Sequence, residues 1–186
     1  DQAYEPLRLA GALALDAAAQ ERVWRLVTPN KALGLTGVRA AYAIAPRDAN
    51  AELLARVRLL APSWPLGAHG VALLQAWARD EVRDWLAACR DSLRLWKVRQ
   101  MALLSGIGWQ VQPSDANFFV AARACLSSTG GLFDSKAGLD DLRAQGFKLR
   151  DCASFGLPGR VRMAVVAPEV QDALVSALLT KAKEAA

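Results

Sequence analysis

Lys31 stands in the stretch "LVTPNKALGLTGVRAAYAIAP", Leu26 to Pro46, on a turn between two apolar runs. A primary amine held in a loop can condense with an aldehyde to an imine, one of the ways proteins tether a reactive carbonyl. Arg39 follows eight residues later and offers a planar fork for a phosphate or a carboxylate. Thr28 adds a hydroxyl. The "GLTG" between them lets backbone approach an anion closely. Taken by itself, a lysine on a turn reads most simply as a solvated surface group. The start of the chain sharpens the reading: "DQAY" places a carboxylate, Asp1, and a phenol, Tyr4, three residues apart.

These five side chains between them answer the separate demands of pyridoxal 5'-phosphate. Its aldehyde requires an amine (Lys31), and its phosphate requires donors (Thr28 and Arg39). Its ring nitrogen requires a carboxylate (Asp1), and its ring oxygen requires a donor (Tyr4). Other chemistries are poorly supplied. A single histidine, His69, precedes a helix, and no serine sits in a nucleophile motif, so no Ser/His/Asp set forms. Cys89, Cys125 and Cys152 are odd in number and widely spaced, which argues against disulfides and against a metal site. Cys152 reads as packed rather than nucleophilic.

The elements that must position these groups follow from the apolar pattern. Strands are expected at Val23–Thr28 and Ala40–Ala45, on either side of the lysine turn. A helix is expected from Asp48 to about Ala61, ended by "PSWPLG". A long helical region from about His69 to Ser105 has a bend near Asp80, and "GIG" closes it. After it come strands in "WQVQPSD" and "ANFFVAA", then a short helix closed by Gly146. A strand pair, "FKLRDC" and "RVRMAVV", flanks "ASFGLPG", and an amphipathic helix ends the chain. Five of the six tryptophans fall mostly at helical spacing and should be core. Trp64, in the break, is a candidate to line a pocket.

With 53% hydrophobic and 22% charged residues, the 186-residue chain should be globular. Its net charge of +5 is interleaved with acids, as in "RDEVRDW", so it forms no basic stripe for nucleic acid. No apolar run is long enough to cross a bilayer, and a reducing cytoplasm is the expected compartment. The first sixty residues hold two strands with little to cover them, and the chain opens without Met, so an upstream half is expected.

The pattern "D-x-A-Y", followed by "T-x-N-K-x-x-G-L-x-G-x-R", resembles the fold-type-I pyridoxal-phosphate aminotransferases of class I/II. The nearest branch is that of histidinol-phosphate aminotransferase and threonine-phosphate decarboxylase. "PSDANFFVAA" and "KLRDCASFGLPGRVRMAV" are similar to that family's small-domain segments. The resemblance implies an α/β fold: the C-terminal part of the cofactor-binding large domain (1–62) and a small C-terminal domain with its connecting helix (63–186). It implies that Arg162 clasps a substrate carboxylate and that Arg150 helps hold a second anionic group, in this branch a phosphate. Lys31 would bind the cofactor, with an amino donor and a 2-oxo acid as substrates and a homodimer as the assembly. The family's usual Ser-x-Ser before the lysine is here Thr28 and Asn30, and no role is assigned to Asn30. The family's phosphate-binding turn and ring-stacking aromatic lie upstream of "DxAY", so the chain resembles the C-terminal half of such an enzyme. Two alternatives stay open: a threonine-phosphate decarboxylase-like activity, and a half-enzyme that binds without turnover.

Overall fold

The computed structural model describes residues 1–13, 15–123 and 136–184; Cys125 lies outside them. Contacts divide the chain into two compact units, Asp1–Arg90 and Asp91–Ala186. None of the described helices is long and apolar enough to cross a membrane.

In the first unit a 3₁₀ turn, Glu5–Leu7, precedes helix α1 (Ala17–Glu21). Strands β1 (Arg25–Val27) and β2 (Tyr42–Ile44) then pair antiparallel, Leu26 opposite Ala43. The expected strands are therefore present but trimmed, because Pro29 and the loop after it cannot continue the ladder. Helix α1 was not expected from the apolar pattern. Its signal is Asp16, whose carboxylate accepts from Ala19 N–H at 2.7 Å.

Helix α2 (Ala51–Leu59) starts three residues after the expected Asp48. Asn50, not Asp48, caps it, with Oδ1 accepting from Glu52 N–H at 2.7 Å and from Leu53 N–H at 3.3 Å. The expected bend near Asp80 is a full break between α3 (Ala68–Trp77) and α4 (Asp80–Gly106). The unit's buried cluster is small, Leu7, Ala32 and Leu86, with Trp77 packed against it. Trp64 is 91% exposed, so the expectation that it lines a pocket finds no support within this unit.

The second unit carries a four-stranded antiparallel sheet, ordered β3-β4-β6-β5. Its strands are β3 (Trp109–Val111), β4 (Phe118–Arg123), β5 (Arg150–Asp151) and β6 (Val161–Ala164). Side chains alternate across a strand. Phe119, Ala121, Val161 and Met163 accordingly share the buried face, each no more than 3% exposed. They pack with Leu104 of α4, Leu142 of α5 (Lys136–Ala144), and Leu174 and Leu178 of α6 (Pro168–Glu184). Gly146 closes α5 with φ +92, the left-handed conformation expected of it.

Two buried glutamines hold the end of β6. Gln100 Nε2 donates to Ala164 C=O at 3.1 Å, and its Oε1 accepts from Val166 N–H at 3.0 Å. Gln171 Nε2 donates to Val166 C=O at 2.7 Å and to Trp96 C=O at 3.0 Å. Arg99 donates back to Gln171 Oε1 at 2.9 Å. Lys97, also buried, donates to the carbonyls of Ser114 and Ala116 in the turn before β4. Burial pushes its pKa down, and the Asp115 carboxylate opposes the shift.

A buried amide that loses its donors leaves carbonyls unsatisfied, at about 1–3 kcal/mol each. Gln171→Leu is therefore expected to lower the unfolding free energy by roughly 2–4 kcal/mol in urea denaturation. Asp172→Ala, next to it, removes only the half-exposed pair with Arg99 and should cost less than about 1 kcal/mol.

Candidate active site

Lys31 leaves β1 through a compact loop. Leu35 N–H donates to Asn30 C=O at 2.8 Å, and Leu33 N–H donates to Pro29 C=O at 3.0 Å. Gly34 supplies the one left-handed residue of the turn, φ +67. Ala32 is buried beneath the loop, which turns Lys31 outward. The Lys31 ammonium then lies 4.8 Å from the centre of the Tyr4 ring. An ammonium over a phenol face is attracted by the ring quadrupole while keeping its protons available.

The N-terminal segment is fastened to the same strand: Gln2 N–H donates to Leu26 C=O at 2.8 Å. The Asp1 carboxylate accepts from Ala3 N–H at 3.0 Å. That bond fixes its direction, and among the described residues it forms no ion pair with Lys31 or Arg39. Two of the expected groups, Tyr4 and Lys31, are thus brought into contact, and Asp1 sits on the segment that carries Tyr4.

Thr28 Oγ1 lies 2.8 Å from Ala40 C=O and 3.0 Å from Asn30 Oδ1. The hydroxyl has one proton, so here it closes the loop rather than pointing a donor outward. This gives Asn30 a place in the bracing that its sequence context did not show. Arg39 is the residue immediately before the braced carbonyl, and it is exposed. Among the described residues, no carboxylate engages Arg39 or Lys31.

In the second unit Arg150 and Arg162 are direct cross-strand partners in β5 and β6. Paired residues of an antiparallel ladder share a face, so both guanidinium groups leave the sheet on one side, opposite the buried core. Each rests on an aromatic ring. Arg162 stands 4.8 Å from the centre of Phe118, and Arg150 stands 5.4 Å from that of Phe155. Phe155 was not singled out from the sequence, and Phe118 was read only as part of an Asn-Phe pair in "PSDANFFVAA" that the resemblance brings near the site. The signal for Phe118 was the alternation in "NFFVAA", which sets it on the outer face with Val120, the partner of Arg162.

Cys152 is buried beneath this pair, with Sγ 3.7 Å from Arg150 C=O. Burial pushes its thiol pKa up, and the nearby Arg162 and Arg150 charges oppose the shift. A thiol held protonated is a packing group, not a nucleophile. His69 occupies the first turn of α3, as expected of it.

The donor set fits pyridoxal phosphate. An outward amine is available for an aldehyde, and an uncommitted guanidinium in the same loop suits a dianion. A phenol and a carboxylate stand on the adjoining segment. Two parallel arginines on a second surface can bind one dianion or two monoanions.

Comparison with known proteins agrees. The chain is 31% identical over 154 residues to the histidinol-phosphate aminotransferase of Ruegeria pomeroyi, covering 79% of this chain and 37% of that protein. It superposes on N-succinyldiaminopimelate aminotransferase from Mycobacterium tuberculosis with a TM-score of 0.72 at 24% identity, over 97% of this chain and 48% of that one. It also superposes on L-threonine-O-3-phosphate decarboxylase from Porphyromonas gingivalis with a TM-score of 0.58 at 22% identity, over 86% of this chain and 46% of that one. The chain therefore spans less than half the length of these relatives. The structural likenesses show the expected α/β fold, that of the pyridoxal-phosphate-dependent aminotransferases. A model of the aminotransferase class I and II family matches residues 1–178, and the chain belongs to that family.

Proposed function

We propose that this chain forms the C-terminal half of an active site for pyridoxal-phosphate-dependent transamination, of the histidinol-phosphate aminotransferase kind. The family is generally dependent on that cofactor. The observation that carries the reading is the Lys31 loop. It turns an amine outward over Tyr4 and returns to the braced carbonyl beside Arg39.

Lys31 would hold the cofactor covalently through its amine. Once released by the incoming amino donor, the same amine would take the proton from the substrate's α-carbon and deliver it, across the nitrogen, to the carbon that had carried the aldehyde. Arg39 would grip the cofactor phosphate, with Thr28 keeping the loop closed around it. Asp1 would face the ring nitrogen and Tyr4 the ring oxygen. When bound, the cofactor supplies an electron sink for the charge left on the α-carbon. Arg162 would clasp the substrate carboxylate, and Arg150 would hold a further anionic group such as a phosphate. The amino donor would leave as a 2-oxo acid or ketone, and a second 2-oxo acid would leave as the amine.

Residues 1–62 are assigned to the cofactor-binding domain and 63–186 to the small domain. A cytoplasmic homodimer is the assembly that fits the family.

Borohydride treatment after addition of pyridoxal phosphate should fix a label on Lys31, seen by peptide mass spectrometry. Lys31→Ala should abolish both the label and the visible absorbance. A wild-type protein that takes up no label would overturn the reading in favour of a half-enzyme that folds or binds a partner without turnover. An amino-donor screen with histidinol phosphate and threonine phosphate tests the reaction: carbon dioxide released without amine transfer would assign decarboxylation instead.

Arg162→Ala should lower kcat/KM by about 100-fold, since a charge-assisted bidentate contact is worth a few kcal/mol and each 1.4 kcal/mol is tenfold. Arg162→Lys keeps the charge and loses the fork, so it should recover only part of that loss.

A further inference from the structure

The first turn of α3 approaches the returning limb of the lysine loop so closely that a side chain there would force its neighbours to give. A methyl group at Gly70 would lie 3.2 Å from the Arg39 carbonyl oxygen and 3.3 Å from the Ala40 Cβ. Ordinary van der Waals contact for such a group begins at 3.4 Å, so its neighbours would have to give by a few tenths of an ångström. Its third neighbour, Leu66 Cδ2 at 3.5 Å, is the end of a flexible side chain and can yield. The first two cannot yield without moving the Arg39–Ala40 peptide itself.

The next peptide along, Ala40–Ala41, is held from another direction by Thr28 Oγ1, 2.8 Å from Ala40 C=O, so Ala40 is fixed on both sides. Gly70 and Ala40 are both buried, so the contact is not relieved into solvent. Gly70 has no left-handed φ, and Gly67, three residues earlier, has nothing within 4 Å of its Cβ position. The demand at position 70 is therefore for space against one peptide, not for backbone freedom or helix initiation.

We propose that Gly70 is a positioning residue for Arg39: the absence of a side chain lets α3 seat the Arg39–Ala40 peptide so that the guanidinium meets the cofactor phosphate. The inference rests on the cofactor reading given above. A shift of a few tenths of an ångström at the Arg39 main chain is carried to the tip of a long side chain. A forked contact with a phosphate is sensitive to displacements of that order. Lys31 is eight residues away on the outgoing limb, so its amine should be little disturbed.

The test compares pyridoxal phosphate with pyridoxal, which carries the same aldehyde and lacks the phosphate. Dissociation constants for both are read from the visible absorbance of the Lys31 adduct. Gly70→Ala is expected to weaken pyridoxal phosphate about fivefold or more while leaving pyridoxal unchanged. Gly67→Ala, at the open position of the same helix start, should leave both unchanged. In an Arg39→Ala background the effect of Gly70→Ala should vanish, because the group it positions is gone.

If Gly70→Ala is insoluble, Ala40→Gly loosens the same contact from the other side and must show the same phosphate-selective loss. Equal losses for both ligands, no loss for either, or additive effects of Gly70→Ala and Arg39→Ala would overturn the proposal while leaving the cofactor reading intact. A wild-type protein that binds pyridoxal and pyridoxal phosphate equally would remove both, since no phosphate grip would exist to be positioned.

Discussion

A single hydroxyl determines what the lysine loop can present. Thr28, at the end of β1, reaches Ala40 C=O across twelve residues of sequence and pins the point where the chain comes back. Without that pin the segment between them is a glycine-punctuated surface loop, with every freedom such loops have. With it, the amine at 31 and the guanidinium at 39 emerge from one closed turn. The close passage of Gly70 against the preceding peptide, Arg39–Ala40, adds a steric boundary beside the hydrogen bond. The hydrogen bond limits how far Ala40 can move away, and the close contact limits how far it can move in.

Aromatic rings under cations recur at the expected site residues in both units. Lys31 lies over Tyr4, Arg162 over Phe118, and Arg150 over Phe155. A carboxylate could also hold such a cation, but it would neutralise it and occupy its N–H groups. A ring face attracts the charge weakly, on the order of 1 kcal/mol, and leaves the donors at the edge open to an incoming anion. The exposed ion pairs elsewhere, such as Arg47 with Glu21 and Arg83 with Asp80, show the other arrangement. There the charge is spent locally and contributes little.

Much of this was legible in the sequence because the signals are local. The lysine turn between two apolar runs, the glycine stop at Gly146 and the short helix before it depend on neighbours within a few residues. The resemblance to class I/II aminotransferases rested on two contiguous motifs, and the family match covers both. What stayed hidden depends on backbone conformation or on contacts distant in sequence. Phe155 reaches Arg150 through a 3₁₀ turn that ends at Gly156, φ +74. Gly70 meets Ala40 only once α3 has folded back. Between Asp48 and Asn50 either residue type caps a helix, and the backbone conformation made the choice for Asn50. Thr28 was read as a donor to an anion, since sequence shows a hydroxyl but not where its proton goes.

The placement of Arg162 follows from neutral groups rather than from charge. Gln100 and Gln171 engage Ala164 and Val166, the residues two and four beyond Arg162 along β6. They rise from α4 and α6, so the strand end is held from two helices by amides with almost no solvent access. A buried amide makes directional bonds whose strength does not fall with salt, whereas a surface ion pair loosens as ionic strength rises. A one-residue slip of β6 would send Arg162 to the core face and Met163 outward, and would leave both glutamines opposite the wrong backbone groups. The register that buries Met163 is therefore the register that exposes Arg162, and the cost of the wrong one is borne by the core.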